Sequence, residues 1–245
     1  MALKNFNVSK LPFELLVKIG KMIFPKYRFK WHEIDWWESE KFDTFLKKFD
    51  KYKTFNDDRL WGLSELLRLV RYIDGDTAEC GVYRGASSAL ICYENQQTNL
   101  RKVHCVFDSF EGLSEPEDID ADHWSAGDLA CSLSEVKKNL SEFPDVEYYQ
   151  GWIPDRFEDV KDRKFSFVHI DVDLYEPTKN SFEFFYERMS PGGIIVCDDY
   201  GFSTCPGATK AIDEFLESRT EKMLTLSSGG GFIIKGIKTG APLYR

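Results

Sequence analysis

The sequence has no CxxC pair, no apolar run long enough to cross a bilayer, no low-complexity tract and no internal repeat. Its six cysteines (Cys80, Cys92, Cys105, Cys131, Cys197 and Cys205) are scattered, several within apolar stretches, a spacing that disfavours a thiolate zinc site and predicts reduced core thiols. Basic residues are in deficit, 32 Lys and Arg against 41 Asp and Glu, for a net charge of -9 and a pI near 5.1. Nucleic acids and anionic membrane surfaces reward the opposite sign, so neither is an expected partner. The opening stretch MALKNFNVSKLPFELL lacks a secretory apolar region and a small-residue cleavage site. The expectation is a soluble, cytoplasmic protein.

Aromatic residues are plentiful, and 245 residues suit one large α/β domain. Residues 1–72 read as a helical cap or lid: Leu15, Leu16, Ile19, Met22 and Ile23 recur at helical spacing, as do Phe42, Phe45, Leu46 and Phe49. Between them, Trp31 to Trp37 is too aromatic for an idle linker. Asp57 or Asp58 is placed to cap a helix running through Arg71.

From residue 73 onward, strand runs alternate with amphipathic helices. A first strand ends at Glu79, and glycines at Gly81 and Gly85 then lead into a helix, the local pattern of a nucleotide-type loop. It is not a dinucleotide GxGxxG, because Tyr83 stands where the second glycine would be. A second strand from Lys102 ends at Asp108, placed to accept hydrogen bonds from a ribose diol. A third, Val146 to Gln150, ends at Gly151-Trp152, where the indole either walls an adenine or belongs to the core. Glu115 to Asp128 reads as a loop, Pro177-Thr178 opens a helix through Met189, and Pro191-Gly192-Gly193 reads as a turn. Residues 223–226 and 232–235 read as a closing hairpin.

The stretch KFSFVHIDVDLY, Lys164 to Tyr175, organises the rest. A buried strand stops abruptly at Asp171 and Asp173, and the next, Gly192 to Cys197, stops at Asp198-Asp199. Four carboxylates at one sheet edge repel one another, and a divalent metal relieves that repulsion. Asp173 reads as a general base or outer ligand. His169 shares the parity of Asp171 and Asp173, so it is either a competing catalytic group or a satisfied core histidine.

This succession resembles a class I S-adenosylmethionine-dependent methyltransferase. More narrowly, ECGVYRGAS, FDSFEGL, GW, HIDVDLYEPT, SPGGIIVCDDYG and CPGATKAIDEF resemble the macrocin O-methyltransferase (TylF-like) family, over about Thr54 to Lys235. The resemblance implies a Rossmann-like α/β fold. Its seven-stranded, mostly parallel sheet would carry helices on both faces and form a methyltransferase domain over 73–245 behind the N-terminal cap. It also implies S-adenosylmethionine as cofactor, near Thr54, Glu79, Gly81, Val82, Tyr83, Gly85, Ser87, Asp108, Ser109, Gly151, Trp152 and Asp171. A divalent cation, usually Mg2+, is implied at Asp171, Asp198 and Asp199, and catalysis at Asp171, Asp173 and His169. The implied acceptor is a hydroxyl of a small molecule, a sugar or glycoside of natural-product or surface-glycan biosynthesis. A metal-dependent hydrolase would use the same carboxylates without needing Glu79, the glycine turn and Asp108. A non-catalytic cofactor-binding protein would keep those and tolerate loss of the aspartates. Homo-oligomerisation is left open.

Overall fold

The computed structural model describes residues 10–25, 39–48 and 57–241. Thr54 and the Trp31 to Trp37 stretch lie outside the described residues. The chain divides into two compact units, Met1–Lys53 and Thr54–Arg245. The first contains helices α1 (Lys10–Ile23) and α2 (Glu40–Lys48), in the two segments where helical spacing was read. The second begins earlier than the 72/73 boundary drawn from the sequence. The physical reason is helix α3 (Asp57–Val70), whose Leu60, Leu63, Leu66, Leu67 and Val70 are buried against the body of this unit. Among the described residues no helix is long and apolar enough to cross a membrane.

After α3 the chain alternates β1 (Asp76–Cys80), α4 (Ala86–Asn95), β2 (His104–Asp108), α5 (Leu133–Asn139), β3 (Val146–Gln150), β4 (Phe165–Ile170), α6 (Tyr175–Tyr186), β5 (Met189–Cys197), α7 (Pro206–Leu216), β6 (Leu224–Thr225) and β7 (Gly231–Ile234). The seven strands form one sheet in the order β3-β2-β1-β4-β5-β7-β6. Strands β1 to β5 pair in parallel, whereas β7 is antiparallel to both β5 and β6. This is the expected α/β architecture with a closing hairpin. Central strands read as continuous apolar runs because helices cover both faces of the sheet. The order steps outward from β1 on one side and from β4 on the other, so the loops following both strands open at one switch point, where α/β sheets form crevices.

The two faces differ in chemistry. On one, Ala78, Cys80, Val168, Ile170 and Ile195 share a core with Phe182 and Phe185 of α6 and Ile212 of α7. An aromatic cluster extends it, with Phe107 4.6 Å from Tyr149 and 5.7 Å from Phe185, centroid to centroid. On the other face, Thr77, Glu79, His104 and His169 are buried near Ser88 of α4.

One boundary differs from the sequence reading. Helix α6 ends at Tyr186 rather than Met189, and β5 already begins at Met189, so Pro191-Gly192-Gly193 is part of the strand and not a turn. Phe165 pairs with Met189 but Phe167 with Ile194, so the extra residues bulge out of the ladder. Gly193 permits this, because a Cβ there would stand 2.9 Å from the carbonyl oxygen of Ser166.

Candidate active site

The turn after β1 is built on backbone that only glycine adopts cheaply. Gly81 has φ +76, and a Cβ on it would run into the carbonyl oxygen of Asp171, so the turn lies directly against the end of β4. Gly85, at φ 90, caps α4. The Val82 N–H donates to Asp108 Oδ2 at 2.8 Å, and the Phe110 N–H donates to Asp108 Oδ1 at 2.6 Å. Burial raises the pKa of Asp108, and these two N–H donors oppose that rise without cancelling it. Each of its oxygens keeps lone-pair capacity for a further donor.

Asp108 lines a pocket of about 220 Å³. Of the residues singled out in the sequence, Gly81, Tyr83, Ser109, Trp152, Asp171 and Asp173 line it too. Val82, Gly85, Ser87 and Gly151 do not. They act one step back at most: Val82 holds Asp108, and the Gly151 N–H donates to the Asp108 carbonyl at 3.0 Å. Leu113, Leu129, Leu174, Glu176 and Pro177 are among the other wall residues. Of these, Leu129 lies in no quoted motif, since an apolar loop residue is ordinary until the fold turns it inward.

Glu79 does not reach this pocket, contrary to its reading as a cofactor contact. It is fully buried and points to the α4 face of the sheet, opposite in parity to Ala78 and Cys80. The Ser88 hydroxyl donates to its Oε2, and His169 Nδ1 lies 2.7 Å from its Oε1. His104 Nε2 lies 3.1 Å from Ser88 Oγ, and His104 Nδ1 lies 3.0 Å from Thr77 Oγ1. Burial alone would raise the Glu79 pKa; the adjacent His104 and His169 more than reverse this and hold it well below the usual carboxylate range.

The strand-end carboxylates form two groups. Asp171, Asp198 and His169 bring one potential ligand atom each within 4.8 Å of the others, and Asp173, Asp199 and Cys205 do the same. Asp198 thus falls in one group and Asp199 in the other, with Asp171 close enough to raise the pKa of Asp199. Asp199 is buried and accepts the Asp173 N–H at 2.8 Å. Cys205 Sγ–H donates to Asp173 Oδ1 at 3.5 Å. Burial, then the charge of Asp171, pushes Asp173 up to about 7; burial, then Asp173 and Asp171, pushes Asp199 well above its ordinary value. Asp198 is paired with Arg59 of α3, whose Nη2 also donates to the Asp198 carbonyl at 2.9 Å. Arg59 was not singled out in the sequence, and Cys205 was read there as a core thiol at the head of CPGATKAIDEF. The donor set fits a divalent cation: hard carboxylate oxygens, crowded enough that two of them resist ionisation, with one imidazole alongside.

The chain is 32% identical over 149 residues to the 8-demethyl-8-(2,3-dimethoxy-alpha-L-rhamnosyl)-tetracenomycin-C 4'-O-methyltransferase of Streptomyces olivaceus, covering 56% of this chain and 57% of that protein. It is 29% identical over 153 residues to the mycinamicin III 3''-O-methyltransferase of Micromonospora griseorubida, covering 54% and 58%. The chain thus spans under three-fifths of the length of these curated relatives. Among solved structures, the O-methyltransferase NovP superposes with a TM-score of 0.60 at 25% identity over 72% of this chain and 79% of NovP. The calicheamicin methyltransferase CalS11 shares the fold, with a TM-score of 0.68 at 17% identity over 96% and 95% of the two chains. The family model for macrocin-O-methyltransferase (TylF) matches residues 52–226, most of the chain, and the protein belongs to that family.

Proposed function

We propose that the protein is an S-adenosylmethionine-dependent O-methyltransferase that methylates a hydroxyl of a sugar or glycoside with help from a divalent cation such as Mg2+. The observation that carries this reading is one pocket lined by both Asp108, at the end of β2, and Asp171 and Asp173, following β4. A cofactor anchor and acid–base groups thereby share one cleft. One relative is named for O-methylation of a rhamnosyl-tetracenomycin and another for O-methylation of mycinamicin III, which supports a hydroxylated small-molecule acceptor.

Bound S-adenosylmethionine supplies a methyl group on a sulfonium leaving group. A bound divalent cation supplies positive charge where the acceptor oxygen loses its proton. The chain's own residues do the rest. Asp108 accepts hydrogen bonds from the ribose diol, and the Gly81 turn brings backbone close without a side chain in the way. Asp173, inside the pocket with a pKa near neutrality, takes the hydroxyl proton as the new C–O bond forms and the C–S bond breaks. Tyr83, Leu113, Leu129 and Trp152 supply apolar walls that narrow the approach angles. A hydrolase would need the carboxylates alone, and Asp108 and the glycine turn would then have no task.

The test combines calorimetric titration with S-adenosylmethionine and methyl transfer from labelled cofactor to a panel of glycosides, with and without EDTA. The expected result is cofactor binding that survives chelation and transfer that does not. Absence of cofactor binding would overturn the methyltransferase reading, and full transfer in EDTA would overturn the cation's part in it.

A further inference from the structure

We propose that helix α1 is a membrane-surface anchor, lying in the plane of an anionic bilayer with its apolar stripe sunk into the head-group boundary. The pocket of the second unit plays no part in this.

Two observations carry it, one of packing and one of charge. Six of the fourteen large apolar side chains exposed among the described residues fall between Leu15 and Phe24. Leu15, Leu16, Ile19, Met22 and Ile23 recur at helical spacing, so they form one stripe along α1, and Met22 and Ile23 are 82% and 74% exposed. Phe13, Val17 and Gly20 lie on the opposite side and are partly buried, so the side of α1 that packs is not the side that carries the stripe. A single exposed leucine needs no explanation, but a contiguous stripe marks a surface that meets something apolar.

Charge decides what that is. Residues 1–31 hold seven Lys and Arg against the single acid Glu14, a net charge of +6. Residues 32–245 hold 25 against 40, a net charge of -15, so the whole-chain value of -9, which argued against an anionic surface, averages two opposed parts. Lys18 and Lys21 of α1 are exposed, and Lys18 lies one turn from both Leu15 and Met22, at the margin of the stripe. Further along the sequence, Lys26, Arg28 and Lys30 alternate with Tyr27, Phe29 and Trp31. A second copy of the chain would set these cations against their own equivalents across a symmetric interface. Single-stranded nucleic acid would suit the cations but offers no partner for a stripe of leucine, isoleucine and methionine. An anionic bilayer supplies both, head groups for the lysines and hydrocarbon for the stripe, and takes aromatic rings at the boundary between them. With 14 residues α1 is too short to span the bilayer, which leaves the surface orientation.

The experiment uses the full chain with vesicles of phosphatidylcholine alone, or of phosphatidylcholine and phosphatidylglycerol in equal parts, read by co-sedimentation. We expect binding to the anionic vesicles, little to the neutral ones, and a steep fall with added salt. The triple variant Leu16→Gln, Ile19→Gln, Ile23→Gln should bind about 10–100-fold more weakly, because the stripe supplies the buried apolar area. Lys18→Gln with Lys21→Gln should cost about fivefold per charge removed. All these side chains are exposed, so both variants should melt like the parent, which separates lost binding from lost folding. Equal or absent binding to the two kinds of vesicle overturns the proposal. So does a triple variant that binds as tightly as the parent, since adsorption by charge alone needs no stripe. Retention of the parent by single-stranded RNA rather than by vesicles would overturn it too, as would light scattering showing a dimeric parent, indifferent to vesicles, that the triple variant converts to a monomer.

Discussion

The backbone N–H of Asp173 donates to the carboxylate of Asp199 at 2.8 Å, and both residues are buried. Two acids this close share a reluctance to ionise, and Asp173, the member that lines the pocket, sits near neutrality. If Asp173 is the base, activity depends on its carboxylate form, so kcat/KM should rise as pH increases through about 7 and level off above it. Asp173→Asn should lose that limb and about 10²–10⁴-fold in rate. A pH–rate profile of parent and variant checks this, and an unchanged limb in the variant would move the base elsewhere.

Asp108 has two tasks, holding the Val82 and Phe110 N–H groups and facing the pocket. Asp108→Ala should weaken S-adenosylmethionine binding through loss of charge-assisted bonds worth about 1.5–3 kcal/mol each. Isothermal titration of Ala and Asn variants measures it, with Asn expected to fall between Ala and the parent.

Gly81→Ala should be far more damaging than its size suggests. The new methyl would meet the Asp171 carbonyl, and a left-handed φ costs a non-glycine residue about 1–2 kcal/mol before any clash. Thermal melting should show destabilisation well beyond that figure, together with loss of cofactor binding, since the same contact locates the turn against β4.

Lys102 offers a pH test remote from the pocket. Its ammonium is buried and donates to the carbonyls of Val70 and Ile73 and to Ser166 Oγ. Burial outweighs the opposing charges of Asp74 and Asp76 and lowers its pKa from 10.5 to about 8. Between those values the unfolded chain binds a proton that the folded chain does not. Stability of the parent relative to Lys102→Met should therefore increase as pH rises from about 8 to about 10.5. Chemical denaturation of both proteins across that range gives the difference directly.

Much of this was legible in the sequence, for physical reasons that also mark where legibility stops. Strand β3 was read residue for residue, and the acids ending β2, β4 and β5 stood out because charge at the end of a buried run is costly unless used. The partner of Glu79 was not legible, because cross-strand register joins residues 90 positions apart. The division of Asp198 from Asp199 depends on how a turn leaves the sheet, and Arg59 reaches Asp198 from a helix 139 positions away. Pro191-Gly192-Gly193 misled as a turn because a bulge within a strand uses the same residues.

All six cysteines are free and buried, and they are spread from β1 to the start of α7. Their pKa values are raised, burial being the first cause in every case. A thiol in that state reacts with an alkylating reagent only after the segment covering it has opened. The protein therefore carries built-in clocks for its own breathing. Site-resolved labelling rates would separate the opening of the central sheet, reported by Cys80 and Cys197, from the opening of the cleft beside Asp173, reported by Cys205, with no probe attached.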